Sequence, residues 1–178
     1  MKLHIGGKIE KNDWKILNIQ NKDGADFIGD ISDLSQFEEE SINEIYASHV
    51  FEHVPQKKII STLSGINRVL KTGGKFYLSV PDIDVLFKFF LTPLTSYATK
   101  IGKTEGEIKM HILRIIFGGQ MDQYDFHYFG WNFGFLKSAL IKAKFTKIEK
   151  VINFNLFEDT SNYKPYGFPI SLNVVAFK

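Results

Sequence analysis

The sequence predicts an α/β fold, one domain spanning residues 1–178 around a mostly parallel sheet covered on both faces. Three observations predict it. Strand-length apolar runs alternate with segments of helical periodicity through the middle of the chain, the pattern of parallel strands joined by helices. A chain of 178 residues with 44% hydrophobic content is long enough to bury one real core. The stretch Ile42 to Val54 runs from an apolar strand straight into Ser48, His49, Glu52 and His53. Ligands of open α/β sheets bind at that kind of boundary, outside the carboxyl ends of the strands.

Taken in order, Lys2 to Ile5 is a short strand ending on Gly6-Gly7, and the next apolar run is Lys15 to Ile19. The interval is shorter than the ~10–12 residues a helical crossover needs, so the first connection is an abbreviated loop. Ala25 to Ile28 is a third strand leading to Gly29-Asp30, and Asp33 to Phe37 reads as a brief turn of helix. Ile42 to Ala47 is the fourth. Pro55 opens a helix on which Ile59, Leu63, Ile66 and Leu70 share a face, with Gly73-Gly74 as its stop. Lys75 to Val80 is the fifth strand.

Beyond it, Pro81-Asp82 starts a helical stretch that Thr92-Pro93 interrupts. A second helix, from about Thr104 to Phe117, carries Glu105 and Glu107 in its first turn, where the helix dipole favours them. Residues 84–120 thus form a helical insertion after the fifth strand. Gly119 to Trp131 is a polar, aromatic loop suited to a lid or pocket wall. Asn132 caps a last helix, and Ile148 to Phe154 and Ile170 to Phe177 are the final strands.

Composition removes several functions. A net charge of +2 and only two arginines, Arg68 and Arg114, leave little to steer or grip nucleic acid, so no nucleic-acid partner is expected. With no cysteine there is no disulfide and no thiolate zinc site. No segment reaches the ~18 apolar residues of a membrane span, and the start lacks the apolar run of a signal peptide. A soluble, cytoplasmic protein is the expectation.

The string HVFEH, His49 to His53, fits the H-x-x-E-H spacing of inverted zinc proteases. That reading fails, because those ligands need one continuous helix, whereas a strand feeds into His49 and Pro55 opens the helix only after His53. No metal site is expected. Gly6-Gly7 is either a plain turn or a bare stretch of backbone that a cofactor approaches. Asp30 is either a turn residue or a carboxylate that accepts a hydrogen bond from a ribose hydroxyl or adenine amine. His53 reads as structural. His49 and His127 divide between packing and proton transfer, for which histidine is suited near neutral pH.

LHIGG, NDWKILNI, DFIGDISDL, SINEIYASHVFEHV and INRVLKTGGKFYLSVPD follow one another in the order of the motifs of class I S-adenosylmethionine-dependent methyltransferases, which they resemble. IFGGQMDQYDFHYFGWNFGFLKSALIKAKF and ISLNVVAFK are similar to the back half of short, methyltransferase type 11-like proteins often encoded among bacterial surface-polysaccharide genes. The resemblance covers nearly the whole chain. It implies a Rossmann-like seven-stranded sheet with an antiparallel last strand and S-adenosylmethionine across the ends of strands one to four. Gly6 and Gly7 match the turn at the methionine moiety, Asp30 and Ile31 the adenine position, and Ser48 and His49 the end of the fourth strand beside the methionine part of the cofactor and the substrate.

Where the family places an acidic residue for the ribose hydroxyls, at the end of the second strand, the alignment puts Gln20. A neutral amide there weakens cofactor binding by roughly 1–2 kcal/mol. Lys8 replaces a small residue, and Ala143-Lys144-Phe145 replaces Ala-Gly-Phe at the end of the last helix. The resemblance implies methyl transfer to a small molecule or glycan; from their positions after the fourth strand and in the aromatic loop, His49 is the first and His127 the second candidate for the base that takes the acceptor proton. Asp122, Tyr124, Asp125 and Tyr128 are candidates to line the acceptor pocket. A degenerate methyltransferase-like binding partner is the alternative. The chain begins on strand one without cap helices, so residues 84–120 or a second subunit of a homo-oligomer are expected to cover the cofactor.

Overall fold

The computed structural model describes residues 1–21 and 24–178. Seven strands, β1 (Lys2–Ile5), β2 (Trp14–Asn18), β3 (Phe27–Ile28), β4 (Ile42–Ser48), β5 (Leu70–Pro81), β6 (Lys147–Val151) and β7 (Ser171–Phe177), form one sheet in the order β3-β2-β1-β4-β5-β7-β6. The pairs among β1 to β5 are parallel, and β7 runs antiparallel to both β5 and β6. The expected sheet, with its antiparallel last strand and helix-free first crossover, is present.

Five helices join it: α1 (Ile59–Val69), α2 (Ile83–Leu91), α3 (Thr95–Lys100), α4 (Glu105–Phe117) and α5 (Phe133–Lys142). Their starts follow local capping chemistry. Asp82 accepts a hydrogen bond from the Asp84 amide, Asn132 accepts one from Phe135, and Thr104 with Glu107 forms a reciprocal capping box.

Several boundaries differ from the sequence expectation: β3, β6 and β7 start or stop up to three residues away from it, β5 starts five residues earlier, and three further differences bear on the site. The helix after Pro55 stops at Val69 rather than at Gly73-Gly74, because Leu70 is already extended and pairs with Ile42. Gly73, with φ 77°, instead serves the irregularity that shifts the β4–β5 register between Ile42 and Glu44. Residues 33–37 form turns, held by bonds such as Phe37 N to Leu34 O at 3.1 Å, and not a helix. The second strand begins at Trp14 and ends at Asn18, which changes the assignment of the site below.

Alternation along the strands divides the interior. Ile45 and Ala47 of β4, with Phe76, Leu78 and Val80 of β5, enter the main core together with Leu63 and Ile66 of α1 and Leu136 and Leu140 of α5. Tyr46 and Tyr77 enter a second cluster with Trp14, Phe154, Leu156 and Phe157. No helix contributes to that cluster; the β6–β7 connection covers it with aromatic side chains. Leu86, Ile108, Ile112 and Ile116 of the 84–120 segment make a third cluster with Tyr166 and Ile170. Among the described residues, no helix is long and apolar enough to cross a membrane.

Candidate functional site

A cleft of about 360 Å³ opens at the carboxyl ends of β1, β2 and β4, where β1 lies between the other two. Ile5 and Gly6 form its floor after β1. Leu17, Asn18 and Ile19 come from the end of β2, Asp30 and Ile31 from beyond β3, and His49, Val50 and His53 from beyond β4. A more voluminous surface depression lies elsewhere, beside Glu10, Lys15 and Asp26, and contains none of these groups.

Gly6 has φ 71°, and its amide donates to Leu17 O at 2.8 Å, which ties the β1 turn to β2. A Cβ at Gly6 would stand 2.5 Å from Val50 Cγ2, so a side chain here collides with the opposite wall of the cleft. Gly7 does not line the cleft. It packs over the His4 ring, and its carbonyl accepts the Asn18 amide at 3.3 Å, so it acts by holding Asn18 in place.

Of the other expected cofactor residues, Asp30, Ile31 and His49 line the cleft, whereas Gln20 and Ser48 do not. The residue that β2 delivers is Asn18, two positions earlier than Gln20. Its Oδ1 accepts the Gln20 amide at 3.1 Å, so Gln20 supports the turn that Asn18 organises. Ser48, the last residue of β4, shares the face of Tyr46 by strand alternation, and the cleft lining begins only with His49 beyond the strand. Sequence reasoning missed Asn18. The signal available was its place immediately after the apolar Ile16-Leu17 pair.

Past β4 the backbone turns sharply. His49 has φ 52°, rare for a residue with a Cβ, and is fixed by its amide donating to Ser79 O at 2.9 Å. Phe51, wholly buried, stacks on Trp131 with ring centroids 5.1 Å apart and anchors a single helical turn at Phe51–His53. That turn drives Glu52 inward, where it is 1% exposed. The aromatic loop closes over it: the Tyr128 amide donates to Glu52 O at 2.8 Å, and the His127 amide to Phe117 O at 3.1 Å.

Three histidines surround the Glu52 carboxylate. His49 Nδ1 stands 3.3 Å and His127 Nε2 4.0 Å from Oε1, while His53 packs edge-on against His127 at 4.7 Å between ring centroids. Neither carboxylate oxygen of Glu52 has a hydrogen-bond partner among the described residues. Burial pushes the Glu52 pKa up, but the neighbouring His49, with charge from His127 and His53, outweighs it and holds the carboxyl below its ordinary value. Burial lowers the His127 pKa against the pull of Glu52. His127 does not line the cleft. It stands behind His53, which does, contrary to the purely structural role expected for His53.

Gln123, Tyr124 and Tyr128 supply the rim. Asp122 and Asp125 do not reach it, since Asp122 caps the Tyr124 amide at 2.7 Å and Asp125 accepts from Met121 at 3.3 Å. No residue of 84–120 lines the cleft, so the aromatic loop, and not the expected insertion, covers this side. The Phe51–His53 turn is far too short to be the zinc-protease helix.

A family profile described as a methyltransferase domain matches residues 10–78. Among solved structures, an S-adenosylmethionine-dependent methyltransferase of Archaeoglobus fulgidus is 14% identical, with a TM-score of 0.59 over 99% of this chain and 85% of its own. One from Thermotoga maritima is 13% identical, with a TM-score of 0.56 over 99% and 81%. A chain from the complex of a Haloferax volcanii methyltransferase activator with its methyltransferase is 14% identical, with a TM-score of 0.54 over 99% and 80%. No curated protein matches the chain.

Proposed function

We propose, for a chain whose residues 10–78 match a methyltransferase domain and whose fold is that of S-adenosylmethionine-dependent methyltransferases, that it methylates a small molecule or glycan in the cytoplasm. One observation carries the reading: the cleft at the ends of β1, β2 and β4 brings a side-chain-free turn, a polar amide, a carboxylate and histidines together around one volume. Those residues suit S-adenosylmethionine. Gly6 presents bare backbone to the cleft and lets Val50 pack against it, Asn18 offers an amide to the ribose, and Asp30 with Ile31 offers a polar edge and an apolar face to adenine.

When bound, S-adenosylmethionine supplies an electrophilic methyl on a sulfonium, which an acceptor oxygen or nitrogen takes in an in-line displacement. His49 and His53 face the cleft beside that position, and the acceptor proton passes to the histidine–Glu52 cluster, in which His127 stands behind them. Tyr124 and Tyr128, both substantially exposed at the rim, offer flat faces to a sugar-like ring.

Isothermal titration with S-adenosylhomocysteine tests the reading. Binding is expected, and Asn18→Asp should tighten it by about 1–2 kcal/mol through charge-assisted bonds while Gln20→Asp leaves it unchanged. No heat at millimolar ligand would leave the degenerate binding partner as the correct account.

A further inference from the structure

Glu52, His53 and His127 each present a ligating atom, and these atoms lie within 4.8 Å of one another. Metal–ligand bonds of about 2.0–2.2 Å place neighbouring ligand atoms roughly 3–4 Å apart, so a contraction on the order of 1 Å completes a site. The second observation is the state of Glu52. It is almost wholly buried, both its oxygens lack hydrogen-bond partners, and His127 Nδ1 lacks one too. The groups that approach the Glu52 carboxylate are imidazole nitrogens, His49 Nδ1 at 3.3 Å and His127 Nε2 at 4.0 Å, so a buried carboxylate and lone-pair donors share one small volume that a cation would complete.

The hydrogen bonds around the cluster orient the rings for ligation. His53 Nδ1 lies 3.1 Å from Phe126 O, a carbonyl that only accepts, so Nδ1 carries the hydrogen and Nε2 keeps its lone pair. Ser171 donates its one hydroxyl hydrogen to Thr160 O at 2.9 Å, and it therefore accepts from His49 Nε2 at 2.8 Å. That leaves His49 Nδ1 as the ring atom that faces the Glu52 carboxylate, at 3.3 Å.

We infer that Glu52, His53 and His127 form a binding site for one divalent transition-metal cation, with His49 as a fourth, adjacent donor. Two or three imidazoles with one carboxylate suit zinc, manganese or iron(II) and disfavour magnesium, which prefers oxygen donors. Because His53 lines the cleft, the cation would face the acceptor. That role rests on the methyltransferase reading, whereas the binding itself does not.

The test uses the full chain, without a histidine tag and stripped by chelator. Zn²⁺, Mn²⁺ and Mg²⁺ are titrated alone, and Co²⁺ loading is followed by its visible absorption. One equivalent of Zn²⁺ and of Mn²⁺ is expected, zinc the tighter and magnesium weak. His53→Ala and His127→Ala should each lower zinc affinity by more than about tenfold, and His111→Ala should not. Circular dichroism reports whether each variant folds, and His53→Gln, at a partly exposed position, serves if His127→Ala does not. Absence of stoichiometric binding, or affinity that survives loss of His53, would show that the cluster is a protonated histidine–carboxylate pair only. S-adenosylhomocysteine binding by the stripped protein is read separately, so loss of that binding counts against the methyltransferase reading and not against the metal.

Discussion

Asp159 and Glu52 both meet residues at the end of β4, Asp159 through Tyr46 and Glu52 through His49 just beyond the strand, and their surroundings are finished differently. Asp159 Oδ2 accepts the Tyr46 hydroxyl at 2.8 Å and its Oδ1 accepts the Ser161 amide at 2.9 Å, although the residue is only half-buried. Glu52 is almost wholly buried and has no hydrogen-bond partner on either oxygen. Satisfied polar groups hold a fold together, whereas a buried group left unsatisfied costs stability and persists where function requires it. The Asp159 side fastens the β6–β7 connection to the sheet. The Glu52 side borders the cleft.

The largest effect that sharpens this contrast belongs to His4, which packs in the structural cluster at 4.2 Å from Phe157 and 5.0 Å from Tyr46. Burial lowers its pKa from 6.5 to about 4, against the pull of Asp159. Between those values the unfolded chain binds a proton that the folded chain refuses. Stability should therefore fall as pH drops from 6.5 toward 4, by roughly 3 kcal/mol in all. Urea melts across that range measure it, and His4→Leu should flatten the acid limb; an equally steep limb in His4→Leu would assign the loss to other groups.

Next in size, Tyr46→Phe removes the donor to Asp159 and should cost about 1–2 kcal/mol in the same melts. Glu52→Gln exchanges the buried carboxylate, which only His49 Nδ1 approaches, at 3.3 Å, for a neutral side chain of the same shape and should cost about 1 kcal/mol or less in metal-free protein. Equal losses in the two variants would break the comparison, since Glu52 would then be structural as well. The smallest effect lies away from both clusters. Lys144, at the end of α5, sits at φ 68° with an exposed side chain, and Lys144→Gly should raise stability by about 0.5–1 kcal/mol. A loss on that substitution would mean that Lys144 makes contacts outweighing its strain.

Legibility in the sequence followed the distance over which each interaction acts. The caps at Asp82, Thr104 and Asn132 bond residues two or three positions away, so local residue types announce them. The αL residue at Lys144, in the place of the Ala-Gly-Phe glycine, could be foreseen for the same reason. The second strand was expected to run to Ile19 and the ribose position was put at Gln20, whereas β2 ends at Asn18; a shift of two from Gln20 to Asn18 preserves strand parity, so alternation gives no warning, and only pairing of Asn18 with Ile28 fixes where the strand stops. Ser48 and His49 are neighbours in sequence, but the left-handed turn at His49 separates the strand face that Ser48 shares with Tyr46 from the cleft.

By itself, then, the sequence determined the order of strands and helices, the helix-free first crossover, and the Gly6 and His49 positions at the ends of β1 and β4, because periodicity and turn chemistry are local. The tertiary structure alone decided that His49 meets Ser171 across 122 positions, that His127 and His53 close on Glu52, and that the aromatic loop, not the helical insertion, walls the cleft. Those contacts depend on how the β6–β7 connection and the loop after α4 pack against the sheet. Glu52 and His53 stand together in HVFEH, but no stretch short enough to read as a motif joins them to His127, or His49 to Ser171.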